Sequence, residues 1–130
     1  LSAELVGRYK KNRKPIAAIA LTTDTSAITS ISNDFSYDSV FSRQLEAIGK
    51  EHDILYAIST SGNSANIIKV IRKAKELNII IIGLTGKNKN EMDNLCDVII
   101  KVPAISADRI QEMHIVVGHI ICEIVENELC

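Results

Sequence analysis

Aromatic side chains make up only 4% of this 130-residue chain and tryptophan is absent, so any core has to be aliphatic. Charge of neither sign prevails. The 15 Lys and Arg nearly balance 16 Asp and Glu, leaving −1, which gives no electrostatic footprint for nucleic acid. No apolar run approaches the roughly 20 residues of a membrane span. The three cysteines, Cys96, Cys122 and Cys130, lie far apart, are odd in number and form no metal-type pairs. Reduced, mostly buried thiols in a cytoplasmic protein are the expectation. Neither the lysine-bearing phosphate loop nor the three-glycine dinucleotide loop occurs, which turns the reading away from ATP and NAD.

What is present is 46% hydrophobic residues, enough for one domain with a real core. Its centre is Ile54–Ile58, five apolar residues in a row, followed at once by Ser59-Thr60-Ser61-Gly62-Asn63-Ser64. Ile67, Ile68, Val70, Ile71 and Ala74 then recur at helical spacing, which predicts a helix over Ala65–Leu77. The unit reads strand, hydroxyl loop, helix. A helix start offers unpaired amides and a dipole that favours negative charge. Ser59, Thr60, Ser61 and Ser64 add four hydroxyl donors, and Gly62 lets the backbone approach closely or take a positive φ. Capping by Ser64 alone would account for a helix start. Four hydroxyls in six positions exceed that need, and a small phosphorylated metabolite is the expected ligand.

Taken in order, Leu1–Asn12 reads as the end of a helix, with the cations of Arg8–Lys14 at its solvent-facing C-terminus. Because Leu1 opens in helical pattern with no cap and no Met, residues upstream are expected. Pro15 ends this helix and Ile16–Leu21 reads as a strand. A short helix over Ala27–Ser32 is broken by Asn33-Asp34-Phe35, whose Asn and Asp commonly make local turns. A helix resumes at Val40, Phe41, Leu45 and Ile48 and closes at Gly49. Ile79–Leu84 and Val98–Val102 are further apolar strands, separated by a short helix near Glu91–Leu95.

The last element, Ala107–Leu129, reads as one long helix. Gln111, Ile115 and His119 follow at four-residue steps, putting two polar side chains on nearly one face. A histidine among apolar neighbours is usually a satisfied core or interface residue. Apolar residues spread so far around this helix predict a second packing partner. The alternation of strands and helices implies an α/β fold, a central parallel sheet covered on both faces, with ligands beyond the carboxyl ends of the strands.

With those residues in hand, the chain resembles the SIS (sugar isomerase) domains, and within them the phosphoheptose isomerases. The matching stretches are Ser2–Tyr9, Ser32–Phe35, Phe41–Gln44, Ile58–Asn66, Leu84–Lys87 and Ala107–Glu112, with His119 eight residues after Gln111. The resemblance implies a single SIS domain over residues 1–130: a three-layer sandwich of Rossmann-like, flavodoxin type. The family's first strand, first loop and a histidine metal ligand would lie upstream of Leu1. It also implies conversion of sedoheptulose 7-phosphate to D-glycero-D-manno-heptose 7-phosphate for bacterial lipopolysaccharide or capsule. Ser59, Thr60, Ser61 and Ser64 would hold the phosphate, and Asn33 and Asp34 would contact sugar. Glu4 and His119 match the acid–base pair. The same two residues with Gln111 match ligands of a zinc ion, all three at the substrate. A homotetramer with sites between subunits, and no nucleic-acid or membrane partner, completes the expectation.

Isomerisation through an enediol needs a base at C1/C2, a partner on the sugar oxygens, and stabilisation of negative charge. Glu4 is assigned the first role and His119 the second. The alternative is a non-catalytic SIS protein that binds a sugar phosphate or a replication-initiator protein, which would need neither side chain.

Overall fold

The computed structural model describes Leu1–Cys130 in full. Its elements are α1 (Ser2–Val6), α2 (Thr25–Asp34), α3 (Val40–Ile48), β1 (Ile54–Ile58), α4 (Ala65–Glu76), β2 (Ile80–Thr85), β3 (Val98–Lys101) and α5 (Ala107–Leu129). Single 3₁₀ turns at Tyr37–Ser39 and Glu91–Asn94 join α2 to α3 and β2 to β3.

The sheet is parallel throughout, in the order β1-β2-β3, with Leu55 opposite Ile81 and Ile82 opposite Val98. Side chains alternate across a strand, so each residue of β1 shares a face with its partner on β2. Leu55, Ala57 and Ile81 meet Ile68, Ile71 and Ala74 of α4 and Leu45 of α3 in the main core. The opposite face, carrying Tyr56, Ile82 and Leu84, is covered by α5, on which α1 packs. These are the three layers of the expected sandwich. Cover on the α5 side is incomplete, for Ile54, Ile80 and Val98 remain 45–61% exposed.

Two expectations are corrected. Ile16–Leu21 is not a strand, although its composition suits one: it has no neighbour to ladder with, and β1 ends the sheet. Its backbone bonds go elsewhere, Ile16 N donating to Leu5 O (3.0 Å), Ser2 Oγ to Ala18 O (3.2 Å) and Gln44 Nε2 to Leu21 O (3.0 Å). The first helix ends at Val6 rather than running to Asn12. The reason lies across the molecule. The amides of Tyr9, Lys10 and Lys11 turn toward the Glu126 carboxylate at 3.2, 2.8 and 2.9 Å, which no helical path would allow. The basic run is thus tied to α5 through its backbone, and Arg13 is buried against Glu126 instead of facing solvent.

Candidate active site

The hydroxyl loop leaves β1 at its carboxyl end and enters α4 at Ser64, the N-cap residue. The Ser64 hydroxyl does not cap the helix. It pairs with Ser59 Oγ at 2.9 Å, while Ser59 Oγ accepts from Gly62 N (3.1 Å) and Ser61 Oγ accepts from Asn63 N (3.2 Å). The hydroxyls therefore brace one another around a tight turn, and no side chain from the N-cap occupies the helix start. Gly62 has φ +68°, and a Cβ there would stand 2.2 Å from Asn90 Oδ1, so only glycine fits. Asn90 begins the turn that fastens the loop from the β2 side: Met92 N donates to Gly62 O (3.3 Å) and Glu91 N to Asn63 Oδ1 (2.9 Å). Gly86 N, just past β2, donates to Thr60 O (3.2 Å).

A cleft of about 410 Å³ opens beside this loop, lined by Thr60, Ser61, Gly86, Lys87, Lys89 and Ile110 among others. Lys87 and Lys89 put positive charge where the hydroxyls and amides already favour an anion. The sequence reading assigned neither, since lysines after a strand look like ordinary loop charge. His114 is buried on the inner face of α5 with Nε2 unpartnered. Burial pushes its pKa down, and the Thr85 carbonyl beside the ring works the other way.

Glu4 lies on α1 and His119 on α5, which pack together: a Cβ on Gly118 would meet Leu1 Cδ1 at 3.7 Å. The Glu4 charge acts on the Cys122 thiol, one turn past His119, although burial is the larger cause of that thiol's raised pKa. No hydrogen bond joins Glu4 to His119. The His119 ring stacks on Tyr9, centroids 5.8 Å apart and planes 28° from parallel. Gln111 is two turns before His119, roughly 12 Å along the axis. No three His, Cys, Asp or Glu side chains converge anywhere in the chain. Asn33 and Asp34 are exposed at the end of α2, Asn33 Nδ2 donating to Asp34 Oδ1 (3.0 Å), and no hydrogen bond ties them to the loop.

The profile of the SIS domain family matches residues 1–86. The phosphoheptose isomerase of Campylobacter jejuni is 54% identical over 126 residues, which are 97% of this chain and 68% of that protein. That of Rhodospirillum rubrum is 50% identical over all 130 residues, 69% of its length. The chain belongs to the phosphoheptose isomerases. The solved phosphoheptose isomerase of Francisella tularensis superimposes with a TM-score of 0.92 at 34% identity, covering 97% of this chain and 68% of that one.

Sequence reasoning missed Glu126. It is 1% exposed and accepts from three successive amides and from Arg13 Nε (2.9 Å). Burial pushes its carboxyl up, but the amides of Lys11, Lys10 and Tyr9 and the Arg13 guanidinium outweigh this and bring it down to about 2. The signal was its place on the buried stripe Ile110, His114, Gly118, Cys122, Glu126, at unbroken four-residue steps.

Proposed function

We propose that this phosphoheptose isomerase converts sedoheptulose 7-phosphate to D-glycero-D-manno-heptose 7-phosphate by proton transfer through an enediol. The observation that carries the reading is the match to phosphoheptose isomerases along the whole chain, at about half identity, with Glu4 and His119 both present. The non-catalytic alternative is not favoured.

The phosphate is assigned to Ser59, Thr60, Ser61 and Ser64 and the first amides of α4, whose dipole and free donors suit a dianion. Anchoring that end orients the sugar, so that the reacting carbons are presented in one geometry. Glu4 takes the proton from C1 or C2 and returns it to the neighbouring carbon. His119 exchanges a proton with the sugar oxygens, so that the enediol never carries a full unshared charge. Asn33 and Asp34 are assigned to sugar hydroxyls and Gln111 to the substrate beside His119.

The zinc reading rests on Glu4, Gln111 and His119, which would hold the ion, with a second copy of the chain closing the site. Zinc would polarise the carbonyl oxygen. The same copy would cover Val116, Ile120 and Ile124, each about half exposed on α5. We therefore assign a homotetramer with sites between subunits, acting in the cytoplasm on a product destined for lipopolysaccharide or capsule. The test is turnover of sedoheptulose 7-phosphate by the full-length protein with and without a chelator. Absence of turnover under both conditions would refute the isomerase reading, and a chelator without effect would refute the zinc.

A further inference from the structure

Outside the loop and the proton-transfer pair, the Glu126 carboxylate accepts four hydrogen bonds, and the reaction as described makes no use of it. Its partner Arg13 is buried as deeply, the two side chains being 2% and 4% exposed. Arg13 does more than neutralise it. While Nε donates to Glu126 Oε1, Nη2 donates to the carbonyl of Glu4 (2.8 Å) and Nη1 to the carbonyls of Leu5 (2.8 Å) and Lys14 (3.1 Å). One guanidinium therefore holds the last turn of α1, where the carbonyls have no helical partner, and places the backbone of Glu4 itself.

The other arm leads to His119. Glu126 is seven residues further along α5, about 10 Å by axial rise and on nearly the same bearing. The segment it captures by the amides of Tyr9, Lys10 and Lys11 lies back along that face. This brings the Tyr9 ring onto the His119 imidazole. Lys10 closes the arrangement, its ammonium 5.4 Å over the Tyr9 ring and 2.7 Å from Glu123.

We propose that the Arg13–Glu126 pair is a positioning device for the isomerisation, fixing Glu4 through its carbonyl and His119 through the Tyr9 ring. A planar fork reaching a carboxylate on one side and backbone carbonyls on the other suits arginine and not lysine. This inference rests on Glu4 and His119 being the proton-transfer pair.

The test is a kinetic comparison on sedoheptulose 7-phosphate of Glu126→Gln, Arg13→Lys and Tyr9→Leu, with Glu126→Gln also made in a His119→Gln background. The phosphate loop is untouched by these changes, so KM should stay within about twofold. A displacement of the reacting groups by about 1 Å should lower kcat by tenfold to a hundredfold in Glu126→Gln. In the His119→Gln background the same substitution should add less than about threefold, because residues acting as a unit are not additive. A purely structural role would lower the melting temperature and leave kcat of the folded protein unchanged, and that result overturns the inference. Should Glu126→Gln fail to fold, Tyr9→Leu decides: it keeps the amide bonded to Glu126 and removes only the ring, so unchanged kcat there is equally fatal. Near-normal kcat in His119→Gln itself is a different outcome, which removes the acid–base reading and this inference with it.

Discussion

Replacing Gly62 by Ala tests the phosphate loop through its backbone. At φ +68° an L-residue pays roughly 1–2 kcal/mol for the left-handed conformation. The new Cβ would also stand 2.2 Å from Asn90 Cγ and Oδ1 and 2.7 Å from its Cβ, and relieving such an overlap in a packed site costs about 1–3 kcal/mol. Together the loss is about 2–5 kcal/mol, which at roughly 4 °C per kcal/mol lowers the melting temperature by some 8–20 °C. Asn90→Gly removes all three crowding atoms. In that background Gly62→Ala should cost only the conformational part, giving a coupling of about 1–3 kcal/mol in a double-mutant cycle. Urea melts of the four proteins give these values, and the KM for sedoheptulose 7-phosphate should rise with the distorted turn. A Gly62→Ala protein that melts within about 2 °C of the parent, with unchanged KM, would refute the account of how the loop is held.

Three further outcomes are expected. Ser61→Ala with Ser64→Ala should raise KM by tenfold or more, since each lost hydrogen bond to a charged group is worth about 1.5–3 kcal/mol, and an unchanged KM would take the loop out of the site. Glu126 is held at about 2 when folded against an ordinary 4.5, so its contribution is complete above 4.5 and is lost as pH falls toward 2. Melting temperature should therefore fall less between pH 5 and pH 2.5 in Glu126→Gln than in the parent protein, and equal falls would contradict the assignment. Light scattering at micromolar concentration should give a multiple of the monomer mass, and Ile120→Glu, half exposed on α5, should reduce it. A monomeric parent would defeat the shared site.

The parts of the fold set by local pattern were readable in advance. Apolar runs specify β1, β2 and β3, and the helical spacing of Ile68, Val70, Ile71 and Ala74 specifies α4, because each element has to bury one face whatever its partner. What depends on a distant partner was not readable. Ile16–Leu21 has the composition of a strand, but laddering belongs to a pair of segments and not to one. Arg13 looks like one cation in a solvated basic run until a carboxylate 113 residues away buries it. Glu126, near the negative end of the α5 dipole, looks unfavourable from local rules alone. The hydroxyl loop was legible from its donor density as a turn between strand and helix, while its bracing by Asn90 and the lysines beside it came from the neighbouring connection.

The central claim is that Glu4 and His119 act together on one substrate, and the kcat values of Glu4→Gln, His119→Gln and their double mutant on sedoheptulose 7-phosphate test it most directly. Each single change should lower kcat by about 10²–10⁴, the usual worth of a positioned proton-transfer group. The double mutant should lose far less than the product of the two. A His119→Gln protein with near-normal kcat, or single losses that simply multiply, would contradict the account.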